Sequence, residues 1–283
     1  MFIALAVAFV LTACNSNDDM PEADATGTVA NITFNVQGDF TLTTSPMTRA
    51  LTSDGKDMTD VWVFDYVGDE LKQQVHQTGE DKDFGQPTIA LPLGEHHLYF
   101  VATRSNGATI NTEVKTMTFA KVSDTFWRYM PLTISNGGSA NRTVALDRIV
   151  TKLRLTFLDA VPYGTASINI TPVAWYYGFN YATGNPVAAV SSHEISIATP
   201  ASIYGLNEQS ASVYGFSSST EWTTDLSFNS KNTDGNLIGA ATITAAPFVR
   251  NRVTEYTGTF WTAGGGMTMS LNAAWDDPYQ GTW

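Results

Sequence analysis

The sequence predicts an all-β protein of two β-sandwich domains. Two observations carry this. Short apolar/polar alternations recur along the chain between turn residues, and no segment longer than a turn or two shows helical periodicity. The composition agrees: charged residues are 15% of the chain, and Thr, Ser, Asn, Gly and aromatics take their place. β-Branched and aromatic residues suit half-buried strands. With 12% aromatic and 43% hydrophobic residues, the chain has enough apolar matter to bury a core. Its 283 residues fit two domains or one large one, at roughly 100–200 residues per domain.

The elements are justified in order. Ile32, Phe34 and Val36 alternate with Thr33 and Asn35, and Phe40 and Leu42 continue the pattern past Gly38, as a half-buried strand bulged at the glycine. A polar loop over 43–59 contains Met47-Thr-Arg-Ala-Leu51. Asp60 to Tyr66 is a strand with Trp62, Phe64 and Tyr66 on one face. Ile89–Leu93 and Glu95–Ala102 flank Gly94 as two strands around a tight turn. Lys115–Phe119 and Trp127–Ile134 are extended, with one short helical turn expected over Ser123–Trp127. Gly137-Gly138-Ser139 punctuates the chain, and Arg142 to Leu158 then alternates with period two. Candidate strands follow at 166–172, 194–198, 210–216, 222–230, 236–245, 252–260 and 267–271, with Asp234-Gly235 as a hairpin turn and Ala263–Gly266 as a hairpin loop. The division expected is 1–13 signal peptide, 14–27 polar linker, 28–145 first sandwich and 146–283 second sandwich.

The amino terminus carries an address. Phe2 to Leu11 is apolar, Thr12 and Ala13 are small, and Cys14, the single cysteine, precedes the polar Asn15–Asp19. The run is too short for a membrane-spanning helix, which needs about 20 apolar residues. One cysteine cannot make an internal disulfide, so an exported chain would use Cys14 for lipid attachment. The segment resembles a bacterial lipobox followed by the surface-export signal of Bacteroidetes lipoproteins. That implies palmitoyl-type acylation at Cys14 and a surface-exposed, lipid-anchored location on the outer membrane, held by several acyl groups. No positive charge precedes Cys14, so the natural start is expected further upstream.

Net charge is −12, from 15 Lys plus Arg against 27 Asp plus Glu. That argues against a nucleic-acid partner. There is no nucleophile elbow, phosphate-binding loop, metalloprotease helix or dinucleotide fingerprint. No enzyme, no catalytic residue, no cofactor and no metal site is expected. His96 and His97 are adjacent on a strand and point to opposite faces, so His76 and His193 would have to complete any metal site. Asp54, Asp57 and Asp60 with Gly55 lack the order and closing Glu of a calcium loop. Asp276-Asp277 sits near the C-terminus with nothing to perturb its acidity. Asn31, Asn141 and Asn169 open glycosylation-type triplets with no expected role in a bacterial lipoprotein. The aromatic run Trp175–Tyr181 offers flat rings, and Trp175, Tyr176 and Tyr181 are the candidate glycan contacts. The competing reading puts Trp175, Tyr177 and Phe179 in the core.

Four segments together carry a family resemblance: the lipobox at 11–14, Met47–Leu51 shortly before Met58–Asp65, Leu146–Leu153, and Phe248–Tyr256 with Arg250-Asn251. Their order resembles the Bacteroidales fimbrillin superfamily, the subunits of type V pili, and more narrowly its anchor-like accessory lipoproteins. The resemblance implies two transthyretin-like β-sandwich domains and assembly by donor-strand exchange with other fimbrial subunits. It implies an Arg-specific maturation protease cutting between Arg49 and Ala50, which would release the first strand with its lipid. It leaves tip and anchor positions open. The tail Asn272–Trp283 is short and holds Pro278, a poor central strand, which speaks against a stalk subunit. A host or bacterial surface ligand is a further implied partner. The alternative is an outer-membrane surface glycan-binding lipoprotein; a surface hydrolase has no motif behind it.

Overall fold

Twenty strands account for the fold of the described residues. The structure is a computed structural model, and it describes residues 29–38, 49–50, 58–104, 107–191, 193–262 and 267–272. In chain order the strands are β1 (Val29–Gly38), β2 (Arg49–Ala50), β3 (Asp60–Val67), β4 (Glu70–Thr78), β5 (Thr88–Pro92), β6 (Gly94–Thr103), β7 (Ala108–Asn111), β8 (Thr116–Phe119), β9 (Thr125–Ile134) and β10 (Gly138–Arg148). Next come β11 (Val150–Phe157), β12 (Thr165–Pro172), β13 (Ala174–Asn180), β14 (Asn185–Ser191), β15 (Ile195–Ala198), β16 (Gln209–Phe216), β17 (Trp222–Asn232), β18 (Leu237–Phe248), β19 (Val253–Gly258) and β20 (Met267–Asn272). Among the described residues the helical content is one 3₁₀ turn, Ala201–Ile203. The all-β class follows from the sequence pattern, because period-two alternation fits no other element.

The first sandwich packs β4-β3-β6-β9 against a layer of β5-β1-β10 with β2. The two layers run together where Trp127 and Phe126 of β9 pair with Asp147 and Arg148 of β10. Between them lie Ile32, Phe34 and Val36 of β1, Ile89 and Leu91 of β5, Val63 of β3, Phe100 of β6 and Val144 of β10. The second sandwich packs β16-β11-β19-β20 against β15-β12-β17-β18 around Leu153, Leu155, Phe157, Ile168, Ile170, Phe228 and Phe248. Two pairings are parallel, β1 with β10 and β11 with β19. Parallel neighbours need long crossovers, so neither pairing is visible as a local sequence signal.

A fourth sheet, β14-β13-β8-β7, draws strands from both sides of residue 146. It covers the outer face of β3 and β6, where Phe64 stacks on Tyr181 at 4.3 Å. Tyr66 Oη donates to the Thr112 carbonyl at 3.0 Å, so the 2.7 Å bond between the two phenols has Tyr181 as donor. Burial first, and the bond to Tyr66 second, push the Tyr181 phenol well above its ordinary value. The central contact pairs Gly178, Phe179 and Asn180 with Thr118, Met117 and Thr116. A Cβ on Gly178 would stand 2.6 Å from the Met117 carbonyl oxygen and 2.7 Å from Thr118 Cγ2. Only glycine permits this approach.

Three expectations are corrected. β5 and β6 do not pair with each other across Gly94: β5 pairs with β1, and β6 with β3 and β9. Gly94, at φ 133°, carries the chain from one layer to the other. The segment 122–124 is irregular and strand β9 begins at Thr125, so no helical turn forms there. The alternating stretch 142–158 is divided at Ile149 between two sheets. Asp234-Gly235 does turn β17 into β18, with Gly235 at φ 80° and Asn232 Oδ1 accepting the N–H groups of Asp234 and Asn236.

The end of β19 is fastened by one carboxylate. Asp159 accepts the N–H groups of Phe260 at 3.0 Å, Trp261 at 2.6 Å and Thr262 at 2.8 Å. Burial alone would raise the Asp159 carboxyl, but these backbone donors outweigh it and hold it below its ordinary value. A carboxyl lowered in the fold stabilises above the unfolded value, and that stabilisation disappears as pH falls through the lowered one.

Two outcomes are expected. Gly178→Val lowers the stability of the protein by about 1–3 kcal/mol, read as a drop in urea midpoint. Asp159→Asn lowers the melting temperature at pH 7, and the gap to the parent closes as pH is taken below 3. A gap independent of pH would show that the Asp159 charge does not hold the turn.

Candidate functional site

Strand β1 and the slot around it form the candidate site. Ala30, Ile32, Phe34 and Val36 point inward, and Phe34 and Val36 are wholly buried. Phe34 meets Phe100 edge-on at 5.0 Å. On one edge β1 runs parallel to β10 in unbroken register from Ala30↔Gly138 to Gly38↔Leu146. On the other edge it pairs antiparallel with β5 from Val29↔Pro92 to Thr33↔Thr88. That edge continues through Phe34 N–H to the Pro87 carbonyl and Val36 N–H to the Gly85 carbonyl, each at 2.9 Å. At its end, Gln37 and Gly38 pair with Ala50 and Arg49 of β2. β1 is therefore a central strand at the start of the described chain.

The magnitudes are large. Burying the Ile, Phe and Val side chains of β1 is worth roughly 5–9 kcal/mol. A whole domain is stable by only about 5–15 kcal/mol. A sandwich that lost β1 without replacement would therefore not persist. It would expose unpaired backbone on β5 and β10 and an apolar furrow floored by Phe100, Val144 and Leu146.

The wall of the slot is braced by a buried polar pair. His96 Nδ1 bonds Asp65 Oδ1 at 2.7 Å, and His96 Nε2 bonds the Pro92 carbonyl at 2.9 Å. The bond to Pro92 ties the end of β5, and hence the register of β1, to β6 in the opposite layer. Asp65 Oδ2 is buried without a hydrogen-bond partner. Gln73 Nε2 also donates from β4 to the Ala90 carbonyl of β5.

The other predicted residues fall as follows. Arg49 and Ala50 lie in β2, their backbones paired with the end of β1. Cys14, Met47, Asp54, Asp57 and the segments 263–266 and 273–283 lie outside the described residues. Asp60 is buried and bonded to His76 Nε2 at 2.8 Å and to Thr59. His97 takes the face opposite His96, with its Nδ1 at 2.7 Å from Tyr129 Oη. The described histidines do not converge, and no group of three His, Cys, Asp or Glu side chains able to hold a metal occurs among the described residues.

Two of the three candidate glycan contacts lie in the cores. Trp175 and Tyr181 are 1% and 0% exposed, one in each of two cores. Trp175 Nε1 donates to the Tyr214 carbonyl at 3.0 Å. Tyr176 is half-buried and edge-on to Trp222. Trp175 and Tyr181 therefore present no open ring face to a sugar.

The sequence carries a signal for the His96–Asp65 pair: each stands in the buried phase of an apolar strand, among Leu98 and Phe100 or Val61 and Val63. A charged group in that phase calls for a buried partner.

An all-β chain of paired sandwiches whose first described strand is central defines the class. Within it, the chain belongs to the family of unknown function DUF6562, which matches residues 102–283. No curated protein matches the chain. Solved structures share the fold. A candidate adhesin of Bacteroides thetaiotaomicron aligns with a TM-score of 0.54 at 9% identity, covering 89% of this chain and 98% of that one. A candidate adhesin of Bacteroides ovatus aligns at 0.52 and 11%, covering 87% and 95%. A candidate cell adhesion protein of Bacteroides uniformis aligns at 0.50 and 14%, covering 87% and 99%. At these identities the likeness shows a shared fold.

Breaking the brace is expected to weaken the slot. Asp65→Ala leaves His96 buried without its carboxylate and lowers stability by about 3–5 kcal/mol, measured by urea unfolding. A change below about 1 kcal/mol would show that the pair does not hold β5.

Proposed function

We propose that the chain is a structural or adhesive subunit of a surface fimbria, at the tip or the anchor, that assembles by exchange of strand β1. The observation that carries this is the placement of β1. It is central, paired on both edges, and joined at Gly38 to the backbone of Arg49. A cut between Arg49 and Ala50 would leave β1 attached by hydrogen bonds and packing alone. A strand from another subunit with the same alternation would satisfy both edges and the furrow at once. The lipobox resemblance at Cys14 supports an outer-membrane tether for the uncut form. The likeness to Bacteroides adhesins supports a surface role, and the absence of a nucleophile or cofactor motif in the sequence supports a role without catalysis.

The test is the mature N-terminus on intact cells, read by mass spectrometry with and without an Arg-specific protease. The expected form with protease begins at Ala50 and carries no lipid, as a tip subunit. A chain that keeps lipidated Cys14 under protease keeps β1 as well; that outcome overturns exchange of β1 and leaves the anchor position or the alternative of a glycan-binding surface lipoprotein. A chain with neither a lipidated Cys14 nor a start at Ala50 would overturn the reading.

A further inference from the structure

A cleft of about 360 Å³ opens where the two halves of the chain meet. It is lined by Asp147 and Arg148 at the end of β10, Ser219 in the β16–β17 turn, and Val249, Arg250, Asn251 and Arg252 in the β18–β19 turn. Three arginines thus face one cleft in a chain of net charge −12. The nearby carboxylates are already engaged. Asp124 holds Arg148 through two bonds, at 2.7 and 2.9 Å. Asp147 accepts from Arg128 Nη1 at 2.7 Å.

Arg250 is different. Its Nε donates to the Ser217 carbonyl at 2.9 Å and its Nη2 to the Gly184 carbonyl. Both partners are neutral, and among the described residues no ion pair to Arg250 occurs. Burial pulls its guanidinium below the ordinary value, and the charge of Asp147 offsets part of that. A half-buried cation fixed by neutral carbonyls is an incompletely compensated charge, and its remaining donors can accept an anion.

The turn that presents it is set in advance. Arg250 N–H bonds the Ser218 carbonyl at 2.9 Å and Asn251 N–H the Val150 carbonyl at 2.8 Å. Asn251 sits at φ 57°, a conformation asparagine tolerates, and its Oδ1 accepts from Arg148 Nη1 at 3.2 Å. The Arg252 carbonyl accepts from Lys152 N–H at 3.1 Å. A fixed guanidinium fork suits a planar carboxylate, which it can meet with two parallel bonds.

We propose that this cleft binds the carboxylate of a small polyhydroxylated acid, the chemistry of a uronic-acid sugar. The volume is at the low end for ligand pockets, so it suits one sugar ring rather than an extended peptide. Ser219, Asn251 and Asp147 offer the mixed donors and acceptors that ring hydroxyls require. This assigns a ligand class to the adhesive reading without resting on it, because the test uses purified protein and is blind to processing and assembly.

The experiment is titration of the purified chain with glucuronate, glucose, acetate and sulfate, followed by saturation-transfer NMR. Glucuronate is expected to bind saturably and to weaken as salt is raised, with glucose and acetate at least tenfold weaker. Arg252→Gln, at an exposed position, lowers glucuronate affinity about tenfold, measured at a temperature where circular dichroism shows the variant folded. Arg250→Lys keeps the charge, removes the fork and lowers it similarly. Absence of saturable binding, or binding indifferent to both substitutions, would overturn the site. Acetate or sulfate binding as tightly as glucuronate would overturn the sugar-acid assignment.

Discussion

The first sandwich depends on β1 being satisfied on both edges at once. Its neighbours β5 and β10 have no pairing with each other, so β1 is what joins them into a layer. The apolar floor of that layer is built from alternate residues of all three strands. Hydrophobic burial supplies the magnitude, but the backbone pairing supplies the orientation, because an apolar strand in the wrong register would turn its inward side chains to water. The parallel pairing with β10 and the antiparallel pairing with β5 leave one register that buries Ile32, Phe34 and Val36 together.

That constraint reaches the rest of the molecule through β10. Its residues up to Leu146 pair with β1, and its last two pair with β9. Arg148 then anchors to Asp124 before the chain enters the second sandwich at Val150. The guanidinium also lies over the Phe126 ring at 4.6 Å. A buried ion pair of this kind contributes little net stability, but removing one partner strands a charge, so it fixes where the first sandwich ends. The sheet containing β8 and β13 adds a second link, and Gly178 sets how closely its two hairpins approach.

Period-two alternation made the all-β class and most strands legible, since buried and exposed residues part cleanly along β1, β10 and β17. Pairing was less legible. Gly94 reads as a hairpin turn, yet it moves the chain between layers, because local turn chemistry does not say which long-range edge is free. β4 carries no alternation signal, because Glu70–Thr78 is polar on both faces apart from Leu71 and Val75. In the aromatic run an exposed platform and a core strand share one composition; what separates them is the joint sheet, a contact between residues some sixty positions apart. Cys14 lies outside the described residues, and the backbone of Arg49 is placed beside β1 without any sign in the sequence that it would be.

On the subunit reading, the slot itself limits what could replace β1. A substitute needs a small residue where Ala30 sits and larger apolar residues at the three inward positions that follow. It also needs an N–H at every position that bonds β5 and the segment leading into it, including those facing the Gly85 and Pro87 carbonyls. Proline at any of these would remove a donor and leave a buried carbonyl unpaired.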